Sequence, residues 1–421
     1  MHLGGQSIID GEGGGRRKWV IIVGHMTSRR TILGGVAATA AMPGFAQSSA
    51  ASPEVAVVGA GAFGAWTALH LAEAGAKVTL LDAYGPGNPR ATSGDETRQI
   101  RAGYGSREMY SVWALRAMGL WRKRQQEFGR NLFHPIGRLQ MAAVAGKEMV
   151  AQGEVLKKLG VPFETLTPEE IHKRWPVVRP EGVGIGVYEP DAAILMARES
   201  IQAVAEQFRK RGGTITIARA EPGSGSGRLE NLRLQDGGVL RAEQFVFACG
   251  PWLRKLFPAL LGSRIATPRR DVIYFGTPAG ETRFSYPRLP NFSESTYYGF
   301  PSLYSRGLKI CPTNPDSNFD PDTDERIAAP HQLKRARDYL TLRFPEMRDQ
   351  PVVATHVCQL ENTTDEHFII DKHPEWGNVW IAGGGSGHGF KHGPVLGDYI
   401  AKRVLGGSPD PQLEGFFRLK K

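Results

Sequence analysis

Cysteine is scarce in this chain. Three occur in 421 residues, Cys249, Cys311 and Cys358, far apart and with no C-x-x-C, which argues against both a disulfide framework and a zinc site. The plain reading of each is a small buried hydrophobe. Long apolar runs are also missing: the Ala-rich run that ends at Met42 is too short to span a membrane as a stable helix. No basic run is interleaved with aromatics, so nucleic acid is not an expected partner. No internal repeat appears, and no low-complexity tract beyond the leader.

The composition is that of a soluble globular protein, 41% hydrophobic and 22% charged. At this length two domains, or one interleaved pair, are expected. The formal charge is +10, but residues 1–46 hold five basic and two acidic residues, which leaves +7 for the remainder. That balance suits an anionic cofactor or a carboxylate substrate. The 52 glycines gather where backbone must come close to something.

The stretch that organises the chain is Glu54 to Asp82. Val55 to Val58 reads as a buried strand, and Gly59, Gly61 and Gly64 fall at G-x-G-x-x-G spacing. Ala65 to Ala74 reads as a helix, and Lys77 to Leu81 as a second strand closed by Asp82. Gly59 makes the tight turn, Gly61 admits a pyrophosphate to the backbone, and Gly64 lets helix and strand pack closely. The helix N-terminus favours negative charge, and Asp82 can accept from ribose hydroxyls. This is the only complete unit of its kind with its acid.

Residues 1–25 read as a disordered leader. Met26 begins a second candidate N-terminus, in which Arg29-Arg30, a modest apolar run and Pro43-Gly44-Phe45-Ala46 outline a twin-arginine export signal with a cut after Ala46. That outline predicts a periplasmic protein and the Tat export machinery as a partner. A flexible basic leader is the alternative.

After Asp82 a Gly, Pro and Ser-rich loop leads to Thr97, Arg98 and Arg101. Two arginines three apart lie on one side of a helical turn or converge from a loop. Met109 to Phe128 reads as an amphipathic helix with Trp113 and Trp121 on its apolar side, and Ile194 to Lys210 as another. Strands are expected at Thr214 to Ala218, Leu229 to Leu234, Phe245 to Ala248 and Val352 to Leu360. From Ile265 to Phe300, and again at Gly307 to Cys311, the pattern reads as an antiparallel sheet. Near the end, Val379 to Ala382 runs into a second glycine loop, Gly383 to Gly389, and a helix from Pro394 to Val404.

With both glycine loops, Cys358 and Lys391 in view, residues 55 to about 413 resemble the flavin-dependent amine oxidases of the monomeric sarcosine oxidase and N-methyltryptophan oxidase family, D-amino-acid-oxidase-like flavoproteins. Cys358 to Asp371, CQLENTTDEHFIID, is similar to the family segment whose cysteine carries the flavin. The run Ser386 to Lys391 matches the flavin loop and the lysine that holds the substrate carboxylate.

The resemblance implies an α/β and α+β fold: a discontinuous Rossmann-like FAD-binding domain (53–130, 188–262 and 352–415) and a catalytic domain on an antiparallel sheet (131–187 and 263–351). It implies FAD as cofactor, covalent through Cys358. Gly59, Gly61, Gly64, Asp82, Thr97, Arg98, Gly385, Gly387, His388, Gly389 and Lys391 would contact the cofactor. Lys391, Arg101, Tyr104 and Tyr298 would contact the substrate. Lys309, Arg98, Tyr298 and Lys391 would be catalytic, with Lys309 activating oxygen, a preorganised charge where superoxide and peroxide character develops. No metal is expected. The implied reaction oxidises the C–N bond of a secondary amino acid, N-alkyl or cyclic, to an imine, reduces O2 to hydrogen peroxide, and is carried out by a monomer.

The plainer readings are an exposed strand lysine for Lys309, a surface lysine for Lys391, a core thiol beside non-covalent FAD for Cys358, and a His388 packed in its loop. To attack a flavin, Cys358 must be a thiolate, and nearby cations are expected to lower its pKa. Two positions at which the family usually has histidine align with Gly94 and Thr313, which predicts a site roomier than one built for sarcosine: an N-alkyl amino acid, a cyclic imino acid or an N-glycated amino acid. The rival functions are a dehydrogenase feeding a quinone or carrier and a non-catalytic flavin-binding protein.

Overall fold

The computed structural model describes residues 52–313, 318–408 and 410–420. The leader and twin-arginine segment lie outside the described residues. Among those residues no helix is long and apolar enough to cross a membrane.

A six-stranded sheet runs in the order Ile369–Lys372, Val379–Gly383, Gln244–Phe247, Glu54–Val58, Lys77–Asp82, Thr214–Ile217. All neighbours are parallel except the first pair. Its apolar runs are buried on both faces, as parallel strands require. Val55, Val57, Val78 and Leu80 face one core with helices Ala62–Glu73, Glu108–Phe128, Ala197–Lys210 and Gly393–Val404, while Ala56, Val58, Phe245 and Phe247 face another with Leu253, Phe257 and Leu261. Trp66 and Trp121 meet edge to face at 5.3 Å in the first core.

The second large sheet has eight strands, in the order Val352–Gln359, Arg269–Phe275, Leu308–Pro312, Tyr297–Phe300, Asn291–Glu294, Arg138–Ala142, Ile185–Glu189, Glu164–Leu166. Only Asn291–Glu294 and Arg138–Ala142 pair in parallel. Side chains alternate across it. Ile273, Phe275, Leu308 and Ile310 enter a core with helix Pro330–Arg343, leaving Arg270, Val272, Lys309 and Cys311 on the other face. A three-stranded sheet of Thr97–Ile100, Ala193–Met196 and Phe133–Pro135 completes the site's frame.

Three expectations need correction. Residues 194–196 are strand, not helix: Ile194, Leu195 and Met196 are fully buried between two ladder partners, and the helix begins at Ala197. Sheet pairing there overrides helical spacing. Arg98 lies on the strand Thr97–Ile100 rather than on a helical turn, with Arg101 just past its end. The domain boundary expected at 352 falls inside the eight-stranded sheet, because Val352–Gln359 pairs along the whole of Arg269–Phe275. The turn before it marks a new strand, not a new domain.

Candidate active site

A cavity of about 280 Å³ opens where the strand Glu54–Val58 meets the helix Ala62–Glu73, lined by Gly59, Gly61, Asp82, Cys249 and Trp252 among others. Gly59 has φ +101°, and a Cβ on it would sit 2.4 Å from the Ala248 carbonyl oxygen; a Cβ on Gly64 would sit 1.8 Å from the Gly59 carbonyl oxygen. Nothing larger than glycine fits at either position. Gly61 at the N-cap has no side chain to close the helix; Ser93 Oγ accepts from the first amide, that of Ala62, at 3.0 Å, and with no acid in the first turn the positive end still favours an anion. Asp82 Oδ1 accepts from the Tyr84 and Gly85 amides at 2.8 and 2.9 Å, and Oδ2 from the Ala60 amide at 2.7 Å. Oδ2 retains capacity for one more donor.

A second cavity, of about 400 Å³, shares Ala62, Phe63, Thr92, Ser93 and Glu361 with the first. These shared residues form the neck at which the two cavities join. On one wall of the larger cavity stand Gly385, Gly387, His388, Gly389 and Lys391 from the second glycine loop. The loop is tied down from behind, because Trp121 Nε1 donates to the Lys391 carbonyl at 2.8 Å. The Lys391 side chain is buried, not a surface group. Its Nζ donates to the Tyr104 hydroxyl at 2.9 Å and to the His388 carbonyl at 3.2 Å. The hydroxyl lies 2.8 Å from His392 Nε2. Burial, then the charges of Arg101 and Arg138, push the Lys391 amine well below its usual range. Burial and Lys391 push His388 down to about 3, so it is a neutral ring packed in its loop.

Arg101 lies over the Tyr104 ring, 4.5 Å from its centroid. Beside it is a residue that sequence spacing did not single out, Arg138, on the strand Arg138–Ala142. Its Nη1 donates to Glu189 Oε1 at 2.9 Å and its Nη2 to Ser293 Oγ at 3.1 Å. Glu189 Oε2 accepts from the Ala102 and Gly103 amides at 3.0 and 2.9 Å. Nothing in its own segment of the sequence marked it as bordering a site.

On the opposite side, Arg98, Arg270, Tyr298, Thr313 and Cys358 line the same cavity. Arg270 pairs across the ladder with Cys358. The expectation that cations lower the Cys358 pKa fails on balance: burial pushes the thiol up, and Arg98 offsets this only in part. Gly94 does not border the cavity, since a Cβ on it would lie 1.9 Å from the Asn88 carbonyl oxygen. Of the two positions invoked for a roomier site, only Thr313 lies on the cavity wall.

Lys309 is fully buried rather than exposed, and it does not reach the larger cavity. Its Nζ is ion-paired with Asp95 and donates to the Thr97 carbonyl at 3.1 Å and the Thr97 hydroxyl at 3.2 Å. It borders instead a pinhole of about 10 Å³ with Tyr274 and Phe300. Asp95 also accepts from Arg98 at 2.9 Å and from the Tyr274 hydroxyl at 3.0 Å. Burial would raise its carboxyl, but Lys309 and Arg98 hold it well below the usual range. His356 nearby is pushed by burial down to about 4 and adds no charge. Asp95 stood in the arginine segment, yet nothing in the pattern marked it as the partner of a residue 214 positions away.

At the neck sits Glu361. Its Oε1 accepts from the Gly385 amide at 3.3 Å, while its buried Oε2 has no partner among the described residues. Burial pushes its pKa up to about 7.

The description "FAD dependent oxidoreductase" is that of the family whose profile matches residues 54–403. The chain belongs to this family. It is 31% identical over 376 residues to monomeric sarcosine oxidase of Bacillus sp. (strain B-0618), covering 86% of this chain and 95% of the relative. It is 26% identical over 374 residues to N-methyl-L-tryptophan oxidase of Salmonella heidelberg (strain SL476), covering 86% and 96%. Among solved structures, the L-proline dehydrogenase from P. horikoshii superposes with a TM-score of 0.77 at 20% identity, covering 87% and 96%, which speaks for the fold. The residues present fit FAD: two joined cavities, a glycine cradle that a Cβ would fill, a helix N-terminus with no acid in its first turn and the unpartnered Glu361 Oε2 at the neck. FAD would lie with its pyrophosphate against Gly59, Gly61 and the start of the helix Ala62–Glu73, and would supply two-electron redox chemistry in the larger cavity.

Proposed function

We propose that this flavoenzyme is an amine oxidoreductase that oxidises the C–N bond of a secondary amino acid, N-alkyl or cyclic, to an imine, which water then hydrolyses. The observation that carries this reading is the cationic wall: Lys391 and Arg101 face the larger cavity with no carboxylate partner among the described residues. A substrate carboxylate supplies that partner. The names of the relatives, which act on sarcosine and N-methyl-L-tryptophan, support a secondary amine.

Each residue's part follows from its contacts. Lys391 and Arg101 bind the carboxylate, and the Lys391–Tyr104–His392 chain orients the amine group that binds it. The same cations disfavour a second positive charge close by, so the substrate nitrogen sheds its proton as it enters. A neutral amine is the form from which hydride can leave carbon. Tyr298, whose hydroxyl burial keeps protonated, bounds the site from the opposite sheet. Cys358 is the proposed point of covalent attachment.

For the electron acceptor we propose O2, reduced to hydrogen peroxide, as the oxidase relatives suggest. A specific observation favours a second reading. Asp95 neutralises Lys309, the charge on which oxygen activation was expected to rest, and this suits a dehydrogenase that hands electrons to a quinone or carrier protein. Export through the twin-arginine route to the periplasm, read from residues about 26–46, suits either acceptor, and the protein is proposed to act as a monomer.

One experiment tests the reading. The purified yellow protein is mixed anaerobically with sarcosine, N-methyl-L-alanine, L-proline and L-pipecolate, then exposed to air in an oxygen electrode cell. Bleaching by at least one amine is expected, and colour that no secondary amine bleaches marks a non-catalytic flavin-binding protein. Oxygen uptake after bleaching separates oxidase from dehydrogenase.

A further inference from the structure

We infer that the substrate is a dianion: a secondary amino acid bearing a second acidic group, which Arg138 binds while Lys391 and Arg101 bind the α-carboxylate. This rests on the amine-oxidation reading above and names its substrate class.

The inference starts from an imbalance of charge. Arg101, Arg138 and Lys391 converge on one wall of the larger cavity, and Glu189 is the only acid among the groups that act on Lys391 there. With Lys391 protonated, three cations face one anion. Glu189 is already engaged, with Oε1 holding Arg138 and Oε2 two backbone amides, and neither Arg101 nor Lys391 is ion-paired with it among the described residues. One α-carboxylate brings a single negative charge and still leaves an excess.

The donors tell the same story. Arg138 is 5% exposed, yet its Nε has no acceptor among the described residues, and neither has the buried Nη1 of Arg101. An orphaned donor on a buried guanidinium is costly, about 1–3 kcal/mol or more, so such atoms mark a place that a ligand completes. Arg138 and Arg101 reach the cavity from different elements. Arg101 follows the strand Thr97–Ile100 and stacks on Tyr104 beside Lys391, whereas Arg138 rises from the eight-stranded sheet and is braced by Ser293 on the adjoining strand. Two acidic groups on one small molecule match two anchoring points.

The neighbours exclude a simpler balance. His388 and His392 are held neutral by burial, and burial keeps the Tyr104 hydroxyl protonated, so none of them changes the count. A monocarboxylate can satisfy the wall only if Lys391 gives up its proton, and a dianion lets all three bases stay charged.

The test titrates the holoenzyme with acetate and with succinate or glutarate, following the visible flavin spectrum. In parallel, anaerobic bleaching compares N-methyl-L-alanine with N-methyl-L-aspartate and N-methyl-L-glutamate. The expected result is dicarboxylate binding about tenfold or more tighter than acetate, the worth of one charge-assisted hydrogen bond, and faster bleaching at low concentration by the N-methyl dicarboxylic amino acids. Arg138→Gln should abolish the preference and Arg138→Lys retain part of it. Because Arg138→Gln leaves Glu189 buried and unpaired, the double variant Arg138→Gln with Glu189→Gln, in which no charge is stranded, serves as the second test.

Equal binding of acetate and succinate by the unmutated enzyme overturns the inference without recourse to any variant. If monocarboxylic amines bleach the flavin and dicarboxylates gain nothing, the inference falls and the amine-oxidation reading stands. If dicarboxylates bind tightly and no amine bleaches, the amine-oxidation reading falls instead.

Discussion

Lys309 and Asp95 form an ion pair almost wholly shielded from water, with side-chain exposures of 1% and 2%. The pair ties the eight-stranded sheet to the edge of the three-stranded one, since Lys309 comes from the strand Leu308–Pro312 and Asp95 from the segment before Thr97–Ile100. Breaking a buried pair strands a charge, at about 3–5 kcal/mol. Asp95→Asn keeps the shape and leaves Lys309 uncompensated. It is expected to lower thermal stability by about that amount, and to speed the return of yellow colour when air is admitted after anaerobic bleaching. Lys309→Met should slow that return. Stopped-flow mixing with oxygen checks both, and unchanged rates in the two variants would show that Lys309 takes no part in delivering electrons to O2.

Cys358 faces the larger cavity with its thiol pushed up by burial and its sulfur 3.5 Å from the Gln359 carbonyl. A covalent link would remove the need to keep that thiol protonated. The expected outcome is that acid precipitation carries the yellow colour into the pellet for the natural chain and leaves it in the supernatant for Cys358→Ala. Colour in the supernatant for both would mean that FAD is held by contacts alone.

How far the sequence could be read depends on whether the governing contact was local. The unit Glu54 to Asp82 was legible because strand, turn, helix and second strand follow one another, each fixed by its neighbours. The second glycine loop was legible for the same reason. The strand at Ala193–Met196 was not, because its four apolar residues fit a helix equally well until their partners at 97–100 and 133–135 are known. In the site, the resemblance named Lys309 and Lys391 but could not give their surroundings. Asp95, Arg138 and Glu361 carry much of the electrostatics, and each acts on a group far away in sequence. A lone acid or base in a strand gives no periodic signal, and only the packed chain shows that Arg138 meets Glu189 or that Glu361 faces a cavity.

The two glycines of the first loop separate folding from cofactor binding. A Cβ at 64 would lie 1.8 Å from the Gly59 carbonyl oxygen, whereas a Cβ at 61 would meet only Ser93 Oγ, at 3.5 Å. Gly64→Ala is therefore expected to give little soluble protein, since helix and strand cannot separate without disrupting the core on both sides. Gly61→Ala should fold, with circular dichroism unchanged, but lose flavin on dialysis because the methyl group stands where the cofactor approaches the backbone. Equal flavin retention by Gly61→Ala and the natural chain would remove the first cavity from the cofactor's path.

Glu361 gives the chain a pH dependence whose sign can be worked out. Burial raises its pKa from the ordinary 4.5 to about 7 in the folded protein. Below about 4.5 both folded and unfolded chains hold the proton. Between 4.5 and 7 the unfolded chain releases it and the folded chain does not, so this group lowers stability as pH rises through that window, and above 7 the loss is complete. A difference of this size corresponds to roughly 3–3.5 kcal/mol. Glu361→Gln keeps the acceptor for the Gly385 amide and removes the ionisation. Its thermal midpoint should match that of the natural chain near pH 4.5, exceed it increasingly up to pH 7, and stay ahead by a constant margin at pH 8. Differential scanning calorimetry at fixed flavin content measures this, and two curves that run parallel from pH 5 to 8 would show that Glu361 titrates in its ordinary range and that the neck between the two cavities is wetter than its packing indicates.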